Sequence, residues 1–582
     1  MTRHQHHEQP WRVRIDGVDG QWYGAGVLLD DRYVLTCAHV VKDAGGAPGP
    51  GPAKGTAVRV RSVACVPEWT LDAHVVADTW VYHGTERGDV ALLELDGSPG
   101  CGQRTTLWRA PISGGSVRAY GFPARAPHGL GADAELAGSG GREGEWGQLK
   151  KIDADGPWIE PGYSGAGVMA LDGEFERRVI GIVVADFLGG NTKAAWMLPT
   201  ETILYYVERI REFCDGEPGI ALLGGPGNGN GSGDALLKDP LQRALTTELA
   251  HMLSGDSSWS GAVVLVTGRA TGPGSSWLVR LARTSDAAAP PTADGRASTR
   301  DTSLGFGAVD AAYDARGRTT DEVIGYLARR FGIARGGYRA AGLVDALTHR
   351  RPPACVIVDG VDQAVDSERL ISEVLAPLAR RARARGIRLV LGFEEPPPGD
   401  LPYDASLDPR PLPAVEQTDP GGQEETVTPE AAHEAVRLLA RAEAHAVRAQ
   451  QLPANRFLEP PRLPVAQAPR LAVRLAVADT ADPGGELGAV VRRARAAQDD
   501  LTRYTAALRA MQSACTELRV TLELHRGRAT RLIGEEDLRL LELYAAAARA
   551  LHGVPIDLAA AHRRVPRYIA EIDRRVEGRD GQ

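Results

Sequence analysis

Pro161-Gly162-Tyr163-Ser164-Gly165-Ala166-Gly167-Val168 places a serine between glycines, at the junction of a turn-rich segment and an apolar, strand-like run. Glycine on both sides lets the backbone turn sharply. Such a turn can aim two amide N–H groups at one point, the arrangement that stabilises a developing oxyanion. The motif G-x-S-G is common, so its meaning depends on what else the chain supplies.

Two stretches upstream supply it. Tyr33-Val34-Leu35-Thr36-Cys37-Ala38-His39-Val40-Val41 sets a histidine directly after a short apolar strand, and Gly24–Leu29 reads as the strand before it. Gly88-Asp89-Val90-Ala91-Leu92-Leu93-Glu94-Leu95 sets an aspartate at the mouth of another. A serine hydroxyl is a weak nucleophile until an imidazole takes its proton, and a carboxylate fixes the imidazole tautomer and stabilises its charged form. Histidine, aspartate and serine stand in that order, at spacings of 50 and 75 residues.

The surrounding region, residues 10 to 213, is expected to be β-rich. Apolar runs at Trp11–Ile15, Ala57–Val63, Ser116–Tyr120, Val179–Val184 and Ala194–Leu198 recur between Gly, Asp and Pro clusters, which argues for a sandwich or barrel. Helical spacing enters only at Thr200–Phe213, where Ile203, Leu204, Val207 and Ile210 share a face. The three motifs together resemble the trypsin-like, chymotrypsin-fold serine peptidases, and Ala194–Pro199 resembles the closing strand of the compact HtrA-type branch.

That resemblance implies a two-barrel domain over residues 1–213. It makes His39 the general base, Asp89 its orienting carboxylate and Ser164 the nucleophile, with the amides of Gly162 and Ser164 as oxyanion donors. It also places Trp158 and the strand Ile180–Asp186 beside the substrate. Asp186 reads either as a partner for a basic substrate residue or as a solvated loop carboxylate. The chain departs from the family at two points: Tyr163 stands where the family has Asp or Asn, and Ala166-Gly167 replaces Gly-Pro. No PDZ-like segment follows.

Glu217–Asp234, holding Gly-Gly-Pro-Gly-Asn-Gly-Asn-Gly-Ser-Gly, reads as a linker, with bounds 214–234. Beyond it, over 235–400, helical and buried-strand patterns alternate, as in an α/β domain. The run Ala262–Gly268 followed by Arg269–Ser276 gives strand, Gly-rich loop and helix, a phosphate-cradling arrangement. The P-loop pattern is broken, however: Gly268 to Gly274 is one residue too long, and Ser275 replaces the phosphate-binding lysine. Ser276 would open the helix. Asp359, closing the strand Ala354–Asp359, stands at a magnesium-binding position, but Gln363 replaces the usual acid and Phe393-Glu394-Glu395 the usual arginine turn. The series resembles the STAND-type signalling NTPases in degenerate form, which implies a fold kept without ATP hydrolysis and no required cofactor. An unrelated α/β domain with a Gly-rich turn is the other reading.

Residues 401–424 read as a Pro/Gly-rich linker, and 425–582 as a helical bundle. Thr428 and Pro429 suit the N-cap and first position of a helix. Leu501, Tyr504, Leu508, Met511 and Cys515 keep a spacing of three and four within Glu486–Arg526. Glu535–Leu551 and Asp557–Val576 follow as helices. The bundle offers surfaces for a regulatory protein partner or for oligomerisation.

Composition bounds the function. At 582 residues the chain exceeds one core. A net charge of −8 argues against a general nucleic-acid binder, and the clusters Arg380–Arg385 and Arg492–Arg495 read as solvated helix faces. No run approaches the roughly 18 apolar residues of a membrane span. The six cysteines are scattered, without zinc-ligand spacing, and His4, His6 and His7 read as a polar terminus, so no metal is expected. With no apolar h-region at the start, the expected location is the cytoplasm. The overall expectation is a multidomain bacterial serine endopeptidase acting on a protein or peptide, regulated by the segments that follow it and serving signalling or defence. The rival is a protease-like interaction scaffold without activity.

Overall fold

The computed structural model describes residues 9–46, 57–63, 67–82, 88–100, 104–140, 145–153, 155–189, 192–222, 237–254, 261–268, 276–286, 300–334, 338–395, 397, 401–408, 427–450, 456–481, 483–533 and 537–580. Gly274, Ser275, Cys65, Cys101 and the N-terminal histidines fall outside them. The chain forms two compact units.

The first unit begins with a closed barrel. Strands β1 (Arg12–Asp16), β2 (Trp22–Leu28), β3 (Tyr33–Thr36), β4 (Val58–Ser62), β5 (Thr70–Tyr82) and β6 (Gly88–Leu95) close in the order β1-β2-β3-β6-β5-β4. In β4 the valines point inward and the arginines outward, the period-2 alternation of a half-buried strand. Helix α1 (Ala38–Asp43) follows β3 directly and packs its alanine and valines on the barrel.

The second barrel is built from β8 (Ser113–Gly121), β9 (Leu130–Gly140), β10 (Trp146–Lys151), β11 (Gly167–Ala170), β12 (Val179–Gly189) and β13 (Thr192–Pro199). It runs β11-β8-β9-β10-β13-β12, and the β11–β12 pairing closes it. Its core holds Phe122, Trp158, Tyr163, Val168 and Met197. The helix expected over Thr200–Phe213 is shorter. Helix α2 (Thr200–Tyr206) stops where Val207 leaves helical angles, and a 3₁₀ segment continues to Phe213.

The expected linker 214–234 is corrected at its start. Cys214–Asp215 forms β14, parallel to β7 (Leu107–Trp108) on the second barrel's sheet. Ile220–Ala221 forms β15, parallel to β17 (Ala311–Asp314). The chain passes from one sheet to the next within a few residues, which seats the barrels against the α/β domain in the same unit.

That domain has five parallel strands in the order β15-β17-β18-β19-β16, with β16 at Val263–Thr267, β18 at Cys355–Asp359 and β19 at Arg388–Phe393. Helices α3 (Pro240–Leu253), α4 (Ser276–Thr284), α5 (Thr320–Arg330), α6 (Ala340–His349) and α7 (Ala376–Arg385) accompany it. Helix α5 starts at a capping box in which Thr319 and Glu322 satisfy each other's backbone amides. Leu401 and Leu407, within the segment expected as a second linker, are buried.

The second unit is helical, with α8 (Pro429–Gln450), α9 (Ala468–Ala481), the 50-residue α10 (Pro483–Leu532), α11 (Leu538–His552) and α12 (Leu558–Asp580). Thr428 Oγ1 accepts the Ala431 amide at 3.3 Å ahead of Pro429, as expected of an N-cap. Leu501, Tyr504 and Leu508 are buried in one cluster, and Cys515 in another. Among the described residues no helix is long and apolar enough to cross a membrane.

Candidate active site

His39 lies in the first turn of α1, carried there by β3, and Asp89 opens β6. Strands β3 and β6 are antiparallel partners, with Thr36 opposite Ala91, so the barrel brings the two residues together across 50 positions of chain. His39 Nδ1 faces Asp89 Oδ2 at 2.5 Å, and Asp89 Oδ1 accepts the His39 backbone amide at 2.9 Å. A carboxylate on Nδ1 leaves Nε2 unprotonated in the neutral ring, ready to accept a proton. Burial alone would lower the imidazole pKa. The hydrogen bond and charge of Asp89, helped by Asp43, outweigh that and leave it raised.

Asp89 is buried and holds a φ of +80°, and Gly88 before it holds +66°. A non-glycine residue in this region costs energy and persists only where its surroundings impose it. Cys37 lies close to both partners, but its thiol bonds to the Val183 carbonyl at 3.1 Å. Burial, then the charge of Asp89, pushes that thiol's pKa well up, so it is no competing nucleophile.

The serine turn joins the two barrels. The Ser164 carbonyl accepts the Ala25 amide of β2 at 2.8 Å, and Gly165 N donates to Val183 O at 2.8 Å. A side chain on Gly24 would meet both the Ser164 carbonyl oxygen and Val40, the neighbour of His39, at 2.7 Å. The turn and the imidazole helix therefore flank one narrow gap. Both glycines of the turn are required. Gly162 has φ +105° and a Cβ there would lie 2.4 Å from the Phe122 carbonyl oxygen; Gly165 has φ +81° and a Cβ would lie 2.1 Å from that of Ala25. Among the described residues no hydrogen bond joins Ser164 Oγ to His39. Such bonds are often long in free enzymes and tighten on substrate.

Tyr163, the departure from the family pattern, is fully buried, its ring filling the space beside Gly121. It points into the barrel core, away from the partly exposed Ser164. Trp158 is likewise a core residue, 5% exposed. Asp186 sits on β12 in register with Ala195.

In the α/β domain, Gly268 ends β16 with φ +86°, its amide donating to Phe393 O at 3.1 Å, and Ser276 opens α4. Asp359 is fully buried at the end of β18; its Oδ2 is held by a guanidinium, and its Oδ1 is buried without a hydrogen-bond partner among the described residues. Arg316 Nη2 lies 2.7 Å from Asp359 Oδ2, and Nη1 lies 2.8 Å from Asp314. Burial raises the Asp359 pKa to about 6 against the pull of Arg316. Magnesium needs carboxylate oxygens open to it alongside water and phosphate. A guanidinium seated on Asp359 and a serine in place of the P-loop lysine do not fit a magnesium–nucleotide complex.

Sequence reasoning missed Glu145, Glu201, Arg109 and Arg330. Glu201, at the start of α2, is held by Arg109 at 3.1 Å and by Arg330 of α5 at 3.0 Å. Ser113 Oγ bonds to Asp310 at 2.8 Å, joining second barrel to α/β domain. None of these residues belongs to a motif; only the heptad-free, Gly-rich surroundings of Glu145 and the strand-to-helix junction at Glu201 mark their places.

Residues 24–182 match the family described as "Trypsin-like peptidase domain", and the chain therefore carries a trypsin-like peptidase domain. No curated protein matches the chain. Among solved structures it is similar to the Rv3671c protease of M. tuberculosis in its inactive form, at 18% identity and a TM-score of 0.25, over 35% of this chain and 90% of that one. It is also similar to kallikrein-related peptidase 10 in complex with Zn2+, at 17% identity and a TM-score of 0.28, over 36% of this chain and 98% of that one.

Proposed function

We propose that this chain is a serine endopeptidase. The observation that carries the reading is the His39–Asp89 pair, doubly bonded and facing the glycine-bracketed Ser164 turn inside a two-barrel trypsin-like domain. His39 Nε2 takes the Ser164 proton as Oγ attacks the peptide carbonyl. The amides of Gly162 and Ser164 hold the oxyanion. The imidazolium then gives its proton to the leaving amine, and water, activated by the same imidazole, releases the acyl group. No metal takes part.

The α/β domain is a pseudo-NTPase of degenerate STAND-like type, with a strand before and a helix after the Gly-rich segment but without the chemistry, a reading supported by Arg316 on Asp359. The helical unit docks a regulatory protein or a further copy of the chain. The four described cysteines, Cys37, Cys214, Cys355 and Cys515, are free thiols, which suits a bacterial cytoplasmic signalling or defence role. The absence of a described Ser164–His39 bond favours one alternative, a protease-like scaffold without activity. Labelling with a fluorophosphonate separates the two: the endopeptidase reacts at Ser164 and Ser164→Ala does not, whereas the scaffold reacts in neither form.

A further inference from the structure

Glu145 takes no part in the reaction proposed above, yet it is 3% exposed and its carboxylate is committed on two sides. Oε1 accepts the Gly88 amide at 2.6 Å, and Oε2 accepts the Tyr206 hydroxyl at 2.8 Å. Its own carbonyl accepts Thr202 Oγ1 at 3.1 Å. Glu145 precedes β10 of the second barrel, so the bond to Gly88 reaches across to the first barrel, at the residue before Asp89.

The strain lies at this point. Gly88 and Asp89 both have positive φ, and the β5–β6 register slips immediately beside them, between Val81 and Tyr82. A turn of this kind needs an external restraint to hold one geometry. A short, charge-assisted bond to the Gly88 amide provides it. With the turn fixed, Asp89 can offer one oxygen to the His39 amide and the other to Nδ1.

The far side of Glu145 leads to the α/β domain. Thr202 and Tyr206, four residues apart, sit on one face of α2. Glu201, next to Thr202, is buried between Arg109 of the barrel and Arg330 of α5, and also accepts the Gly219 amide at 3.3 Å. Arg330 is anchored in turn by the carbonyls of Asp310 and Glu217, at 2.8 and 3.2 Å. One two-turn helix thus touches both the support of the Asp89 turn and the neighbouring domain.

We propose that Glu145 is the positioning residue of the Asp89 carboxylate, and that α2 transmits the seating of the α/β domain to it through Glu201 and Arg330. This rests on the reading of His39, Asp89 and Ser164 as a triad. It gives the α/β domain a physical means of setting peptidase activity without binding nucleotide.

The test uses the full chain with two readouts: the rate of fluorophosphonate labelling and the titration of His39 by NMR after ¹⁵N-histidine incorporation. The groups facing His39 are Asp89, Asp43 and Cys37, and none is altered. Glu145→Ala should slow labelling about ten- to a hundredfold, the scale of an ångström-level misplacement. It should also shift the His39 titration down towards the ordinary histidine value. Glu145→Gln keeps an acceptor for Gly88 and should recover most of both. Tyr206→Phe and Arg330→Met should move both readouts the same way by less, and they decide the matter if Glu145→Ala fails to fold. Unchanged labelling and an unchanged His39 titration in Glu145→Ala would overturn the positioning role. An unchanged titration in Arg330→Met would overturn the α2 connection. If the wild-type chain does not label at Ser164 the endopeptidase reading fails, while the titrations still judge the position of Asp89.

Discussion

Removing the Glu201 carboxylate tests whether the barrels and the α/β domain are held as one unit. In Glu201→Gln the side chain keeps its shape but no longer balances Arg109 and Arg330. Breaking a buried pair by neutralising one partner costs about 3–5 kcal/mol, because a charge is left uncompensated. The lower end applies. Arg330 keeps two carbonyl acceptors, and Arg109, with 16% of its side chain exposed, recovers some hydration. The expected loss is therefore about 3 kcal/mol, read as a lower urea midpoint for the transition that unfolds the first unit. The sign with pH follows from the linkage. The two arginines outweigh burial and depress the Glu201 pKa below the ordinary 4.5, so the contribution is full above that value. The gap between wild type and Glu201→Gln should then close as pH falls below about 4.5. A double-mutant cycle with Arg330→Met should show strong coupling. A loss below about 0.5 kcal/mol, or no coupling, would refute the reasoning.

Three further outcomes are expected. Gly165→Ala forces a Cβ to 2.1 Å from the Ala25 carbonyl oxygen at φ +81°, so it should abolish fluorophosphonate labelling and lower thermal stability, both measurable on one purified sample. Calorimetric titration with Mg-ATP should give no heat of binding, because Arg316 holds Asp359; binding in the micromolar range would contradict the pseudo-NTPase reading. Glu443 accepts the amides of Gln467 and Ala468 at the start of α9, and burial nonetheless pushes its pKa up to about 7. A raised folded pKa gives stability that is full below about 4.5 and lost as pH rises through 7, so Glu443→Gln should gain on wild type over that interval, by at most about 3 kcal/mol in urea unfolding.

What the sequence revealed and what it concealed follow from the range of the interactions. The pairing of His39 with Asp89 and the tight turn at Ser164 were legible because each residue sits in a local setting with its own signature: a strand end, a Gly-Asp turn, a glycine-bracketed turn. The strands of the first barrel were legible where apolar runs were short and bounded. Thr70–Tyr82 was not, since its polar and charged residues break the alternation over 13 residues of half-exposed, bulged strand. The boundary at 214 was misread because glycine and proline around Cys214–Ile220 look like a linker, whereas two-residue strands there pair with distant partners. The packing of Trp158 with Phe122 and Tyr163 in the second barrel's core was not legible, since these residues are brought together only by the closed barrel. Glu145, Glu201 and Arg330 could not be read at all. A buried charge is defined by its partners, and those that matter most here, Gly88 for Glu145 and Arg330 for Glu201, stand 57 and 129 residues away.

The nucleophilicity of Ser164 remains the point on which the account turns. Incubating the full chain with a fluorophosphonate, digesting it and mapping the adduct by mass spectrometry measures it directly. The account predicts a single adduct at Ser164, formed faster as pH rises through the His39 titration, and absent in Ser164→Ala and His39→Gln. No adduct in the folded wild-type chain, or an adduct that survives in His39→Gln at the same rate, would contradict it.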